Sequence, residues 1–349
     1  MTDRTRIRRW GRAARWTAAT AIVGLAVGLL DLGGPQLRHA LAVIGAVDPV
    51  VVLAIIGLEV AWAVALAQTG RQAVLALGGR IELAQALRIS MAGFTVSRVV
   101  PGGGAAGGVF TLCELRRVGN PLPVATVATV TSWAASMVGL GVLVVAALAA
   151  TMATGAPPPA AAVPATGGLL ALSAAGALML VVIQRPRVRR VVTALAERLR
   201  QRAPRLWRPH AGALTVAAVG VCDRRALRRG VVWAAAAWAV DATALWAALA
   251  ACGATITPDV LLVGYVVATV LNSAPEVTPG WIGVFEATQT ATFVALGLDA
   301  PTALGGVLLY RVLSFWLPTA AGVIPAVVSL RAARPALGAP VPAARRVAA

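Results

Sequence analysis

Six ionisable side chains, Glu59, Arg98, Asp241, Glu276, Glu286 and Arg311, stand inside stretches that are otherwise largely apolar. Inside a bilayer such groups are costly, face the protein interior, and mark substrate, ion or proton paths. Arginine suits phosphate because its planar fork donates two parallel hydrogen bonds to an oxyanion. Arg98 and Arg311 are therefore expected to hold an anionic headgroup. Glu276 and Glu286 would orient those arginines, bind a cationic part of the ligand, or carry protons. The competing reading is an internal Glu–Arg pair that only fixes helix register. Glu59 and Asp241 fit a functional or a structural role equally. Other chemistries find less support. Cys113, Cys222 and Cys252 are far apart, and His39 and His210 lie beside arginine or proline, so neither a zinc spacing nor a Ser-His-Asp constellation emerges. No metal and no cofactor are expected, and without a phosphate-binding loop motif the chain is not expected to hydrolyse ATP.

The elements that must position these residues follow from composition. The chain has 349 residues, of which 59% are hydrophobic and 13% charged. Soluble domains carry about 25% charge and about 45–50% apolar residues. This chain therefore reads as an all-α polytopic membrane protein. The net charge of +18 would point to nucleic acid if taken alone. The basic residues are all arginine, however, and most lie between the apolar runs, the pattern of loops kept on the cytoplasmic side. Nucleic-acid binding is excluded on that distribution.

A spanning helix needs about 20 mostly apolar residues. The first run, 16–33, follows a basic N-terminus of residues 1–15, which places the N-terminus in the cytoplasm. A second span covers about 49–70. From Val118 to Gln184 no residue is charged, and Pro157, Pro158, Pro159 and Pro164 divide the stretch into spans at about 122–150 and 166–184. Residues 185–229 form an arginine-rich cytoplasmic loop. A span at about 231–252 and a last one at about 303–327 complete six, followed by a cytoplasmic tail, 331–349.

Two segments resist this scheme. No arginine occurs between Arg229 and Arg311, yet residues 260–298 are apolar enough to enter the membrane. A hairpin that dips in from outside and returns satisfies both facts. Residues 83–117 are flanked by arginine on both sides and broken by Pro101-Gly102-Gly103-Gly104, so they read as a dip from the cytoplasmic side. The halves, about 16–150 and 166–330, then share one order of elements in opposite orientation. Gly/Pro-broken segments at matching positions of an inverted repeat point to a site at the midplane. Non-helical backbone at that depth must be buried in protein or line a wet cavity. A half-helix beginning near Gly102 or Gly280 would aim free N–H groups and its positive dipole end at an anion.

These residues carry a resemblance. Arg98-x-x-Pro101 followed by the glycines through Gly108, Leu115-Arg116-Arg117-x-Gly119, Asn272, Pro279-Gly280-Trp281-Ile282-Gly283-Val284-Phe285-Glu286-Ala287, and Tyr310-Arg311-x-x-x-Phe315-Trp316-Leu317-Pro318 with Gly322 resemble the lysylphosphatidylglycerol synthase transmembrane family, also called flippase-like membrane proteins. The resemblance covers roughly 50–330. It implies a polytopic domain that moves polar lipids between leaflets, with Arg98, Pro101, Gly102, Gly103, Gly104, Asn272, Glu276, Pro279, Gly280, Gly283, Glu286 and Arg311 as the substrate-binding set. In the best-known members a soluble aminoacyl-transferase domain follows. The chain ends about twenty residues after its last span, so that activity is not carried over.

The expected function is translocation of an anionic lipid, a phospholipid or one like it, in the plasma or inner membrane, without enzymatic chemistry. A membrane-embedded lipid-modifying transferase and an accessory subunit of a lipid-modifying system are the alternatives. The partners to expect are the bilayer, the lipid itself, and either a second copy in a homodimer or a lipid-modifying enzyme.

Overall fold

The computed structural model describes residues 34–100, 103–153, 162–185, 222–273 and 283–338. These form helices and short connections, with no strand among the described residues. In chain order the helices are α1 (Gly34–Gly45), α2 (Pro49–Ala76), α3 (Leu83–Val99), α4 (Gly103–Arg117), α5 (Leu122–Ala153) and α6 (Ala162–Gln184). Then come α7 (Arg224–Ala251), α8 (Pro258–Ser273), α9 (Val284–Ala295), α10 (Ala300–Arg311), a π-helical turn (Val312–Trp316) and α11 (Leu317–Gly338).

Five segments are long and apolar enough to cross a membrane: 49–76, 122–146, 166–184, 224–251 and 300–331. They match five of the six spans read from sequence; the sixth, 16–33, lies outside the described residues. Two boundaries move. The span expected at 231–252 begins at Arg224, because Asp223 caps the helix by accepting a hydrogen bond from the Arg225 N–H at 2.8 Å. Four arginines assigned to the cytoplasmic loop, Arg224, Arg225, Arg228 and Arg229, thus form the first turns of α7. The second span runs on to Ala76, carrying Arg71 within its helix. The rest of the expected loop, 186–221, lies outside the described residues.

Each of the two expected hairpins contributes two helices that pack on each other, α3 on α4 and α8 on α9. The arms hold 17, 15, 16 and 12 residues. At 1.5 Å per residue each is about 18–26 Å long, shorter than a hydrocarbon core of about 30 Å. Packing partners repeat between the halves. α2 contacts α3 and α5, as α7 contacts α8 and α10; α4 meets α5, as α9 meets α10. The corresponding helices α2 and α7 pack on each other across the join of the halves.

The first hairpin is pinned to the last span. The Thr95 hydroxyl donates to the Thr319 carbonyl at 2.9 Å. One turn along, Gly322 lies so near α3 that a Cβ would run into the Met91 carbonyl oxygen and the Thr95 hydroxyl, and would come within 2.9 Å of the Met91 carbonyl carbon. Backbone atoms cannot rotate aside, so Gly322→Val is expected to cost about 1–3 kcal/mol by overpacking. Thermal unfolding in detergent measures it; an unchanged midpoint would show that α3 and α11 are not in contact there. Beneath this contact Glu114, only 3% exposed, accepts from Arg117 and, at 2.8 Å, from the Ser329 hydroxyl, while Arg117 also donates to the Ser329 carbonyl at 2.7 Å. A carboxylate at that depth is tolerable because its lone pairs are filled.

Candidate functional site

The π turn follows directly on Arg311 and contains Ser314 and Phe315. Spaced by three and four residues, these three side chains share one face of the last span. Turns of this kind are often found where a helix serves a site. All three line a cavity of about 260 Å³. The first hairpin contributes Phe94 and Arg98 from the end of α3, the second contributes Phe285 and Gln289 from α9, α7 supplies Trp238 and Asp241, and α8 supplies Tyr265 and Thr269. Both halves of the repeat and both hairpins therefore meet at this cavity.

The two arginines converge on one ring. The Arg311 guanidinium carbon lies 4.1 Å from the centroid of Phe315 and 4.4 Å from that of Phe285. The Arg98 guanidinium carbon lies 5.7 Å from the same Phe315 ring and 5.1 Å from Phe94. Aromatic faces attract cations, and the attraction grows when water is excluded. Phe94 is in turn braced edge-on by Trp62 at 5.1 Å. Arg311, 5% exposed, also donates from Nε to Glu286 Oε1 at 2.8 Å. The other carboxylate oxygen of Glu286 accepts the Gly283 N–H at 2.7 Å, closing a capping arrangement at the start of α9. Gly283 has φ +84°, a conformation that favours glycine.

Asp241 lines the same cavity as the arginines. The Tyr265 hydroxyl donates to one carboxylate oxygen at 2.5 Å and the Tyr310 hydroxyl to the other at 3.0 Å. These are the chain's only two tyrosines. Trp238 stands edge-on to Tyr265 at 6.3 Å and donates from its indole to the Ser136 carbonyl at 2.9 Å, while Phe285 stacks on Tyr310 at 6.5 Å. Asp241 also feels the charge of Arg98. A second cavity of about 290 Å³, lined by Ser90, Ser97, Gly104, Gly107, Thr111 and Ser132 among others, shares Leu66, Phe94 and Ser136 with the first. Among the described residues no group of three His, Cys, Asp or Glu side chains could hold a metal ion.

The residues expected from sequence divide as follows. Arg98 and Arg311 line the main cavity, and Glu286 holds Arg311 from behind without lining it. Gly104 lines the second cavity, and Gly103, with φ +50°, begins α4. Gly283 caps α9 rather than facing the cavity, so the N–H it offers goes to Glu286 in the same chain and not to a ligand. Asn272 lies on α8, and nothing is described of its side chain. Pro101, Gly102, Glu276, Pro279 and Gly280 lie outside the described residues. Sequence reading does not single out Gln289, Trp62, Trp238, Phe94 or Tyr265. The scarcity of aromatics other than tryptophan was an available signal: of five phenylalanines, Phe94, Phe285 and Phe315 line this cavity.

Helices of spanning length, paired broken hairpins and a charged cavity between them define a polytopic membrane protein, and residues 16–322 match the family of the lysylphosphatidylglycerol synthase TM region. The chain belongs to that family. It is also 32% identical over 100 residues to the UPF0104 membrane protein PH1989 of Pyrococcus horikoshii, a match covering 28% of this chain and 29% of that relative.

Proposed function

We propose that the protein moves an anionic lipid between the leaflets of the cell membrane, with its headgroup held between Arg98 and Arg311. The observation that carries this reading is the convergence of two arginines, one from each half of the repeat, on a single aromatic-walled cavity. A cavity of about 260 Å³ accommodates a phosphate headgroup and not acyl chains, since pockets for whole drug-sized ligands run from about 300 to 1,000 Å³. The tails would stay in lipid while the headgroup crosses. The two hairpins enter the membrane from opposite faces, both termini are cytoplasmic, and one half rocks against the other around the headgroup. In this scheme no bond of the lipid is made or broken. Guanidinium groups held against aromatic rings are less hydrated than they would be in water, so replacing their remaining water with phosphate oxygens costs less.

The test is translocation in vesicles that contain only the purified protein. A headgroup-labelled phosphatidylglycerol should become accessible to an impermeant quencher faster than in protein-free vesicles. No acceleration for any of several anionic lipids would refute the reading. If movement required an added lipid-modifying enzyme, the protein would instead be its accessory subunit.

A further inference from the structure

Resting on the headgroup reading above, we infer that Glu59 and Asp241 form a proton-binding pair that couples movement of the anionic lipid to the proton gradient. The two acids come from corresponding helices of the two halves. Glu59 lies ten residues from the start of α2 (59 − 49) and Asp241 ten residues from the end of α7 (251 − 241). If the two helices run in opposite directions, as the inverted repeat requires, the acids share one depth, about 15 Å from the same helix ends. The helices that carry them, α2 and α7, pack directly on each other.

Their surroundings differ in a way that calls for one proton and not two or none. Asp241 accepts a hydrogen bond at each oxygen, an environment that suits a carboxylate. Glu59 is 4% exposed and neither oxygen has a hydrogen-bond partner among the described residues. A second negative charge there, without a donor of its own, would be expensive in an apolar medium. A proton held on Glu59 removes that cost. A separate observation is that the cavity, which Asp241 lines, carries a polar side chain unpartnered among the described residues. Gln289 is 1% exposed, lines the cavity, and has no partner among the described residues for either amide atom.

The other charged or titratable groups around the pair are Arg98 on α3, Tyr265 on α8, and Tyr310 and Arg311 on α10, with Glu286 of α9 committed to Arg311. Arg98 feels both Asp241 and any anion in the cavity. When the pair loses its proton, its added negative charge repels an anionic headgroup and competes for Arg98. When the proton is bound, that competition falls. Headgroup and proton therefore favour each other's binding, and the coupling is reciprocal. The proton is taken from water on one side and returned to water on the other as the halves rock, so no co-reactant is needed. Lipid and proton travel in the same direction.

Vesicles carrying labelled phosphatidylglycerol and an imposed pH difference test this directly. The wild type should accumulate the lipid in the leaflet facing the less acidic side, up to about tenfold per pH unit for one proton per lipid. Glu59→Gln should still exchange lipid at equal pH but lose the accumulation, and Asp241→Asn should lose it as well. Wild-type movement indifferent to the pH difference, or driven by a sodium gradient at equal pH, would overturn the coupling and leave the headgroup site standing. Absence of movement under every condition would overturn the headgroup site. The pair is then judged by infrared spectroscopy of the protein in nanodiscs. A carboxylic-acid carbonyl band present in the wild type and missing in Glu59→Gln supports proton binding; identical spectra refute it.

Discussion

Glu286→Ala is expected to lower stability by about 3–5 kcal/mol, the largest effect of any single change around the cavity. The carboxylate holds Arg311 at 2.8 Å and the Gly283 N–H at 2.7 Å, and both partners of the ion pair are nearly inaccessible to solvent. Truncating it removes the ion-pair partner of a guanidinium that is 6% exposed and uncaps α9. The penalty comes from the partner left behind, which a second substitution exposes. Glu286→Gln combined with Arg311→Met removes both charges while keeping an acceptor for the Gly283 N–H, and should recover most of the loss. Thermal unfolding of the two single variants and the double variant in detergent measures the coupling. The double variant should remain unable to move lipid, because the cation is gone. Additive losses would show that Glu286 and Arg311 do not act on each other.

Arg98→Ala is expected to slow movement of an anionic lipid by roughly tenfold to hundredfold, the equivalent of one charge-assisted hydrogen bond worth about 1.5–3 kcal/mol. Arg98 lies on the cavity wall and is less tightly enclosed than Arg311, so the folded state should survive its loss. Arg98→Lys should recover only part of the rate, since an ammonium keeps the charge but not the planar fork or the stacking on Phe94 and Phe315. The measurement is the vesicle assay with the wild type beside both variants. Equal rates for all three would remove Arg98 from the site.

Much of this arrangement was legible in the sequence, and the reasons are physical. Long uncharged runs announce spanning helices because charge is excluded from hydrocarbon, and Pro101 and the glycines after it announce a break that the start of α4 at Gly103 confirms. Arg98, Glu286 and Arg311 were visible because a charge within an apolar run is rare. The same rule misplaced the start of α7. Arg224 to Arg229 look like loop by charge, but helices continue past the hydrocarbon, and Asp223 was the available cap signal. Glu114 shows the converse. Standing among arginines it was not singled out, yet it is buried against Ser329, 215 positions away. Tyr265 and Gln289 gave no local sign, and Tyr310 was visible only as part of a motif around Arg311. Neutral polar side chains pass unnoticed in apolar helices, and only packing brings Tyr310 to Asp241 across 69 residues. The pairing of each broken segment with its neighbouring spans was readable from where arginine, proline and glycine fall, because basic residues mark loops and Pro/Gly interrupt helices.

The most direct test of a headgroup chamber open in turn to each face is thiol accessibility at Ser314, which lines the cavity within the π turn. Cys113, Cys222 and Cys252 are first replaced, and Ser314→Cys then adds one thiol in nearly the same volume. A membrane-impermeant thiol reagent applied separately to each side of sealed vesicles should label this position from both, and added anionic lipid should slow the labelling. Labelling from one side alone, or labelling that anionic lipid leaves unchanged, would contradict a headgroup path through this cavity.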